Sequence, residues 1–116
     1  MPSEKTYRVL WSEQAARDVE QIVTYIALDS PAGARRLLER LDKKAASLRV
    51  VPSRGRVIPE MARFGWREWR ELVVKPYRIM YRIAGRSIHI AAVLDGRRDL
   101  EDLLLERLIR SAAKNP

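Results

Sequence analysis

At 116 residues the chain is expected to form one domain, spanning 1–116. It contains no cysteine, which excludes disulfide frameworks, thiolate zinc sites and thiol catalysis. A formal charge of +8 favours an anionic partner (nucleic acid, an anionic membrane or an acidic protein), acting over roughly 8 Å at physiological salt.

Of the 23 basic residues only Lys5, Lys43, Lys44, Lys75 and Lys114 are lysine, so the charge is carried mainly by guanidinium groups. No apolar run nears the ~20 residues of a membrane span, and MPSEKTYRVLW lacks the apolar region of a signal peptide. A cytoplasmic location is expected.

Residues 6–11, TYRVLW, alternate as a short strand with Tyr7, Val9 and Trp11 on one face. Ser12 then stands as N-cap before a helix whose stripe is Ala15, Ala16, Val19, Ile22, Val23 and Ile26. That helix should stop near Asp29, because Ser30-Pro31 offers a new cap with proline at the first helical position. A second helix is expected from Pro31 to about Val50, with Ala34, Leu37, Leu38, Leu41, Ala45 and Leu48 as its stripe. So tight a connection makes an antiparallel helical hairpin that needs a sheet to cover its apolar side.

Between Pro52 and Trp66 the periodicity is lost, so this stretch is expected to be an ordered loop, anchored by Val57, Ile58, Met61 and Phe64. Three strands follow: Glu68–Val74, Tyr77–Ile83 and Ser87–Leu94, joined at Lys75-Pro76 and at Ala84-Gly85-Arg86. Ile88, Ile90, Ala92 and Leu94 are expected on one face of a central, doubly covered strand. Asp99 opens a last helix, 99–114, striped by Leu100, Leu103, Leu104, Leu108 and Ile109, with Arg107, Arg110 and Lys114 toward its negative end. The fold class is therefore α+β: an N-terminal strand, a helical hairpin, a three-stranded antiparallel meander and a C-terminal helix.

His89, the one histidine, lies mid-strand between isoleucines and is expected to be half-buried rather than catalytic. Asp95, Asp99, Glu101 and Asp102 cluster after the third strand, but Arg97 and Arg98 sit among them and Asp99 has a cap to form. Turn and cap are preferred to a Mg²⁺ site, and no cofactor or metal is expected. What remains is arginine. Arg70, Arg78, Arg82, Arg97 and Arg98 lie on or beside the sheet, with Arg54, Arg56, Arg63 and Arg67 in the preceding loop and Trp66, Trp69, Tyr77 and Tyr81 among them. Arg56, Arg70, Arg78, Arg82, Arg97 and Arg98 are the candidates for holding phosphate or a target. Internal ion pairs with Glu68 and Glu71 are the competing use, and the aromatics are expected in the core.

Taken in order, YIALDSP, SRGRVIPE, REL, YRIMYRI and VLDGRRDL resemble the RelE/ParE superfamily of type II toxin–antitoxin systems, over about Tyr7 to Leu103. The resemblance implies a toxin, of the kind that stabilises plasmids, held inactive by an acidic, partly disordered antitoxin. RelE-type members cut mRNA in the ribosomal A site; ParE-type members block DNA gyrase. Carried over from the RelE branch, Arg78 and Arg98 match positions that hold the scissile phosphate. The RelE-type tyrosine would fall at Leu104, and its lysines near Trp69 and Glu71. Arginine holds phosphate well but is poor at proton transfer. The chain thus keeps the phosphate-holding half of a metal-independent endoribonuclease and lacks the other, which favours a gyrase inhibitor that is not an enzyme. A ribosome-dependent mRNA interferase and a non-toxic nucleic-acid-binding module are the competing expectations.

Overall fold

The computed structural model describes residues 6–114, with side chains as far as Arg107. Strand β1, Arg8–Trp11, leads into helix α1, Glu13–Ala27, through Ser12, whose Oγ accepts from the Ala15 N–H at 3.0 Å. The helix stops two residues before Asp29, and Ser30 caps α2, Pro31–Ser47, by accepting from the Gly33 N–H at 2.9 Å. Pro31 occupies the first turn, where its missing N–H costs nothing. The second helix ends at Ser47 rather than near Val50; Leu48 to Val50 form a turn, and Arg49 C=O accepts from the Tyr7 N–H.

The expected loop contains two short elements, strand β2, Arg56–Val57, and helix α3, Pro59–Ala62. Strands β3, Trp69–Val74, β4, Tyr77–Ala84, and β5, Ser87–Asp95, follow, and helix α4, Leu100–Lys114, ends the described chain. The side chains of Leu108, Ile109, Arg110 and Lys114 lie outside the described residues. Asp99 caps α4 as expected, its Oδ1 accepting from the Glu101 and Asp102 N–H groups.

The sheet is five-stranded, in the order β1-β5-β4-β3-β2. The meander is antiparallel, but β1 runs parallel to β5, placing Arg8 opposite Ser87 and Trp11 opposite Ile90. At the β4–β5 pairing the register slips between Met80, opposite Ala92, and Tyr81, opposite Ile90, so Ala91 is an extra, bulged residue. The bulge corrects the expected face: Ile88, Ile90 and Val93 join the core under the hairpin, whereas Ala92 and Leu94 point to the other side.

Two apolar layers result. Ala15, Leu37, Leu41, Ala45 and Leu48 of the hairpin pack on Leu72, Val74, Tyr77, Ile79 and Tyr81. Burying leucines such as Leu41 and Leu48 contributes about 2 kcal/mol each. On the opposite face Ile58, Met61, Leu100 and Leu103 cover Met80, Ala92 and Leu94, with Trp69 and Leu104 at the margin. Among the described residues no helix is long and apolar enough to cross a membrane.

Candidate functional site

Strand alternation puts Glu71, Arg78, Met80 and Arg82 on the sheet face that α3 and α4 cover, and Arg56 lies directly across from Glu71. The fully buried Glu71 carboxylate accepts from Arg56 Nε at 2.7 Å and, through its other oxygen, from Arg78 Nε. Arg78 turns its remaining edge to α3, where Nη1 and Nη2 donate to the two oxygens of Glu60, both at 2.9 Å. Arg56, Glu71, Arg78 and Glu60 form a chain of alternating charge across β2, β3, β4 and α3. Glu60, through those donated bonds, holds the guanidinium charged, with its pKa raised, and Arg78 lowers that of Glu60.

Arg78 is therefore not presented to solvent: it is 9% exposed and its Nε, Nη1 and Nη2 all face carboxylates. This corrects the expectation of a phosphate-holding group on an open strand face. The physical reason is that a guanidinium under a helix keeps its charge only if carboxylates meet it. Of the two proposed acidic partners, Glu71 is the one used, and Glu60 is a partner the sequence reading missed.

The other candidates are spread over separate surfaces. Arg70 Nη1 donates to Gly55 C=O at 2.7 Å. Arg82 is exposed and lies over the Trp69 ring, 6.0 Å from its centroid. Arg97 reaches back to Asp95 through Nε and Nη2, and Asp95 Oδ1 also accepts from the Arg97 N–H; the Arg97 bond lowers the Asp95 pKa. Arg98 donates to Glu106 at 3.0 Å across the first turns of α4. Arg56, Arg78 and Arg97 share one cleft with Val73, Lys75, Pro76 and Gly96, whereas Arg82 and Arg98 lie in two others. Gly96 lets the turn after β5 pack against Pro76 and Arg78, since a Cβ there would sit 2.9 Å from Pro76 O and 3.0 Å from Arg78 Cγ.

The aromatics divide. Tyr77 and Tyr81 are core, as expected, and burial raises both phenol pKa values. The Tyr81 hydroxyl donates to Pro52 C=O at 2.8 Å and accepts from the Gly55 N–H at 2.9 Å, pinning the loop before β2. Trp69 is half-buried, while Phe64 and Trp66 are exposed with their rings 5.7 Å apart. His89 is half-buried between Leu10 and Arg82.

One buried charge went unnoticed in the sequence. β1 ends opposite Ile90, so among the described residues β5 beyond that point has no strand on its outer side. Asp18 on α1 fills the gap: Oδ2 accepts from the Val93 N–H at 2.9 Å, and Oδ1 from Arg107 Nη2 of α4 at 2.7 Å. It sits at an i, i+3 step from Ala15, on the stripe itself, where periodicity alone reads a polar interruption.

With this geometry in view, comparison with known proteins gives a consistent result. Residues 9–100 match the family model described as ParE toxin of type II toxin-antitoxin system, parDE. The chain belongs to this toxin family. Two relatives of this ParE-family chain from Caulobacter vibrioides carry the names Toxin RelE2 and Toxin RelE1. The first is 35% identical over 86 residues, 74% of this chain and 91% of the relative. The second is 31% identical over 95 residues, 78% and 95% respectively. A solved chain from the chromosomal ParDE system of P. aeruginosa shares the fold, with a TM-score of 0.61 at 20% identity, covering 78% of this chain and 97% of that one. The protein is thus a type II toxin of the RelE/ParE superfamily, which implies a cognate antitoxin.

Proposed function

We propose that the freed toxin acts on DNA gyrase as an inhibitor and does not itself cut RNA. The observation carrying this reading is the dispersal of the groups an RNase centre needs. Arg78 is sealed by Glu60 and Glu71, Arg98 lies in a different cleft beside Glu106, and Leu104, at the tyrosine position, packs against the second core. None of these supplies a proton-transfer group next to a phosphate-holding one.

In the resting pair the acidic antitoxin lies across the hairpin and the sheet. Charge of +8 and the exposed Tyr25, Leu28 and Leu38 on α1, α2 and their junction support that surface. The test is a supercoiling assay with purified toxin: inhibition or a trapped cleavage complex at micromolar toxin is expected, and its absence refutes gyrase as target. The names of the two Caulobacter relatives favour the second reading, an mRNA interferase. Cleavage of translated mRNA that vanishes in Arg98→Ala establishes that reading instead. Leu104→Tyr is expected to leave RNA uncut and toxicity unchanged or lower; a gain in cleavage overturns the gyrase proposal.

A further inference from the structure

Where α2 passes the β3–β4 turn, Arg40, Lys43 and Lys44 of the helix converge with Arg54 and Lys75. With Ser47, Val73 and Val74 they line a cleft of about 650 Å³, and among the described residues no carboxylate lines it. None of the five has an ion-pair partner among the described residues, in contrast to Arg56, Arg78, Arg97 and Arg98. Three of the five lysines in the chain meet here. Unopposed like charges repel one another, and a bound anion relieves that repulsion.

We propose that this cleft binds the phosphodiester backbone of a nucleic-acid duplex. Among the described residues the lining has no aromatic ring on which an unpaired base would stack. Guanidinium, ammonium and hydroxyl groups such as these are the ones that contact phosphate oxygens. The helical side of the cleft runs from Arg40 to Ser47, about 10 Å at 1.5 Å per residue. That length matches three nucleotide steps at about 3.4 Å of axial rise.

An acidic peptide fits less well. β2 pairs only with Arg70 and Glu71, so the outer edge of β3 left beside the cleft is Leu72–Val74, too short to seat an added strand of ordinary length. This site does not rest on the gyrase reading; it lies where α2 meets the sheet, so it is tested on toxin free of antitoxin.

The test is fluorescence anisotropy of the full chain, free of antitoxin, with a 20-base-pair DNA duplex of arbitrary sequence, the matching RNA duplex and a heptaglutamate peptide. Five neutralised phosphates give a log–log salt slope of about −4.5, so affinity should fall about 500-fold between 50 and 200 mM salt. Lys43→Glu with Lys44→Glu, both exposed, should flatten the slope to about −2.7 or less. A charge-matched Arg63→Glu with Arg67→Glu, also exposed and outside the lining of the cleft, should leave affinity within about threefold, the residual long-range effect of net charge. Binding of either duplex with this pattern supports the site, and their ratio assigns its source. No duplex binding at 50 mM salt, equal loss in both double variants, or tighter binding of the peptide than of either duplex overturns it.

Discussion

Removing the Arg78 guanidinium should destabilise the fold. Arg78→Ala leaves the fully buried Glu71 carboxylate with Arg56 alone, and Arg56 is itself 64% exposed in its side chain. Breaking a buried pair from one side costs about 3–5 kcal/mol, because a desolvated charge stays behind. The surviving Arg56 bond places the expected loss at the low end, about 3 kcal/mol. For a domain of this size that is a fall in Tm of about 12 °C. Thermal and urea denaturation measure it directly. Arg78→Met combined with Glu71→Leu should recover much of the loss, since both charges then leave the interior together. Arg98→Ala, whose partner Glu106 is also solvent-exposed, should move stability by less than about 0.5 kcal/mol. Should Arg78→Ala melt within 2 °C of the parent, roughly 0.5 kcal/mol, while growth arrest is lost, the guanidinium serves a ligand and the buried-pair reasoning fails.

Three other outcomes follow from the same contacts. Tyr81→Phe strands the Gly55 N–H in a buried position and should cost about 2 kcal/mol in urea titration; a change under about 0.5 kcal/mol would show the hydroxyl is dispensable. Asp18→Ala frees the Val93 N–H and Arg107 together, so hydrogen exchange at Val93 should accelerate at least tenfold, and Asp18→Asn, which keeps an acceptor, should accelerate it less; equal rates in all three proteins would remove Asp18 as the tie between α1, β5 and α4. Glu60 titrates below its ordinary 4.5 because Arg78 donates to it, so its contribution to stability is complete above pH 4.5 and is lost as pH falls through the lowered value. Glu60→Gln should therefore flatten the stability profile below pH 4.5, and an unchanged slope in the variant would refute the assignment.

Much of the architecture was legible because the longer elements display their period. The stripes of α1 and α2 and the Ser12 and Ser30 caps need only local sequence. β2 and α3 escaped because two residues and one turn are too short to show any repeat. The bulge at Ala91 escaped for a different reason: an extra residue changes the facing of everything after it without altering alternation in the sequence. Parallel pairing of β1 with β5 is a choice of neighbour, which no single strand encodes. At the site, the arginines were visible but their use was not. Glu71 is legible as a possible ion-pair partner but not as the partner of Arg78 in particular, and Glu60 belongs to a stretch without periodicity, so the meeting of both with Arg78 exists only in three dimensions.

The pairing of the first strand with the last has a consequence for how the toxin is made. Ser12 Oγ donates to Ala91 C=O across 79 residues of sequence, and among the described residues β1 has no other strand beside it. During synthesis at about 5–20 residues per second, the emerging chain must wait several seconds for that partner. Contacts so distant along the chain also close late in folding. β1 therefore stays unpaired until β5 has been made, so the sheet gains its parallel edge only after the meander is in place.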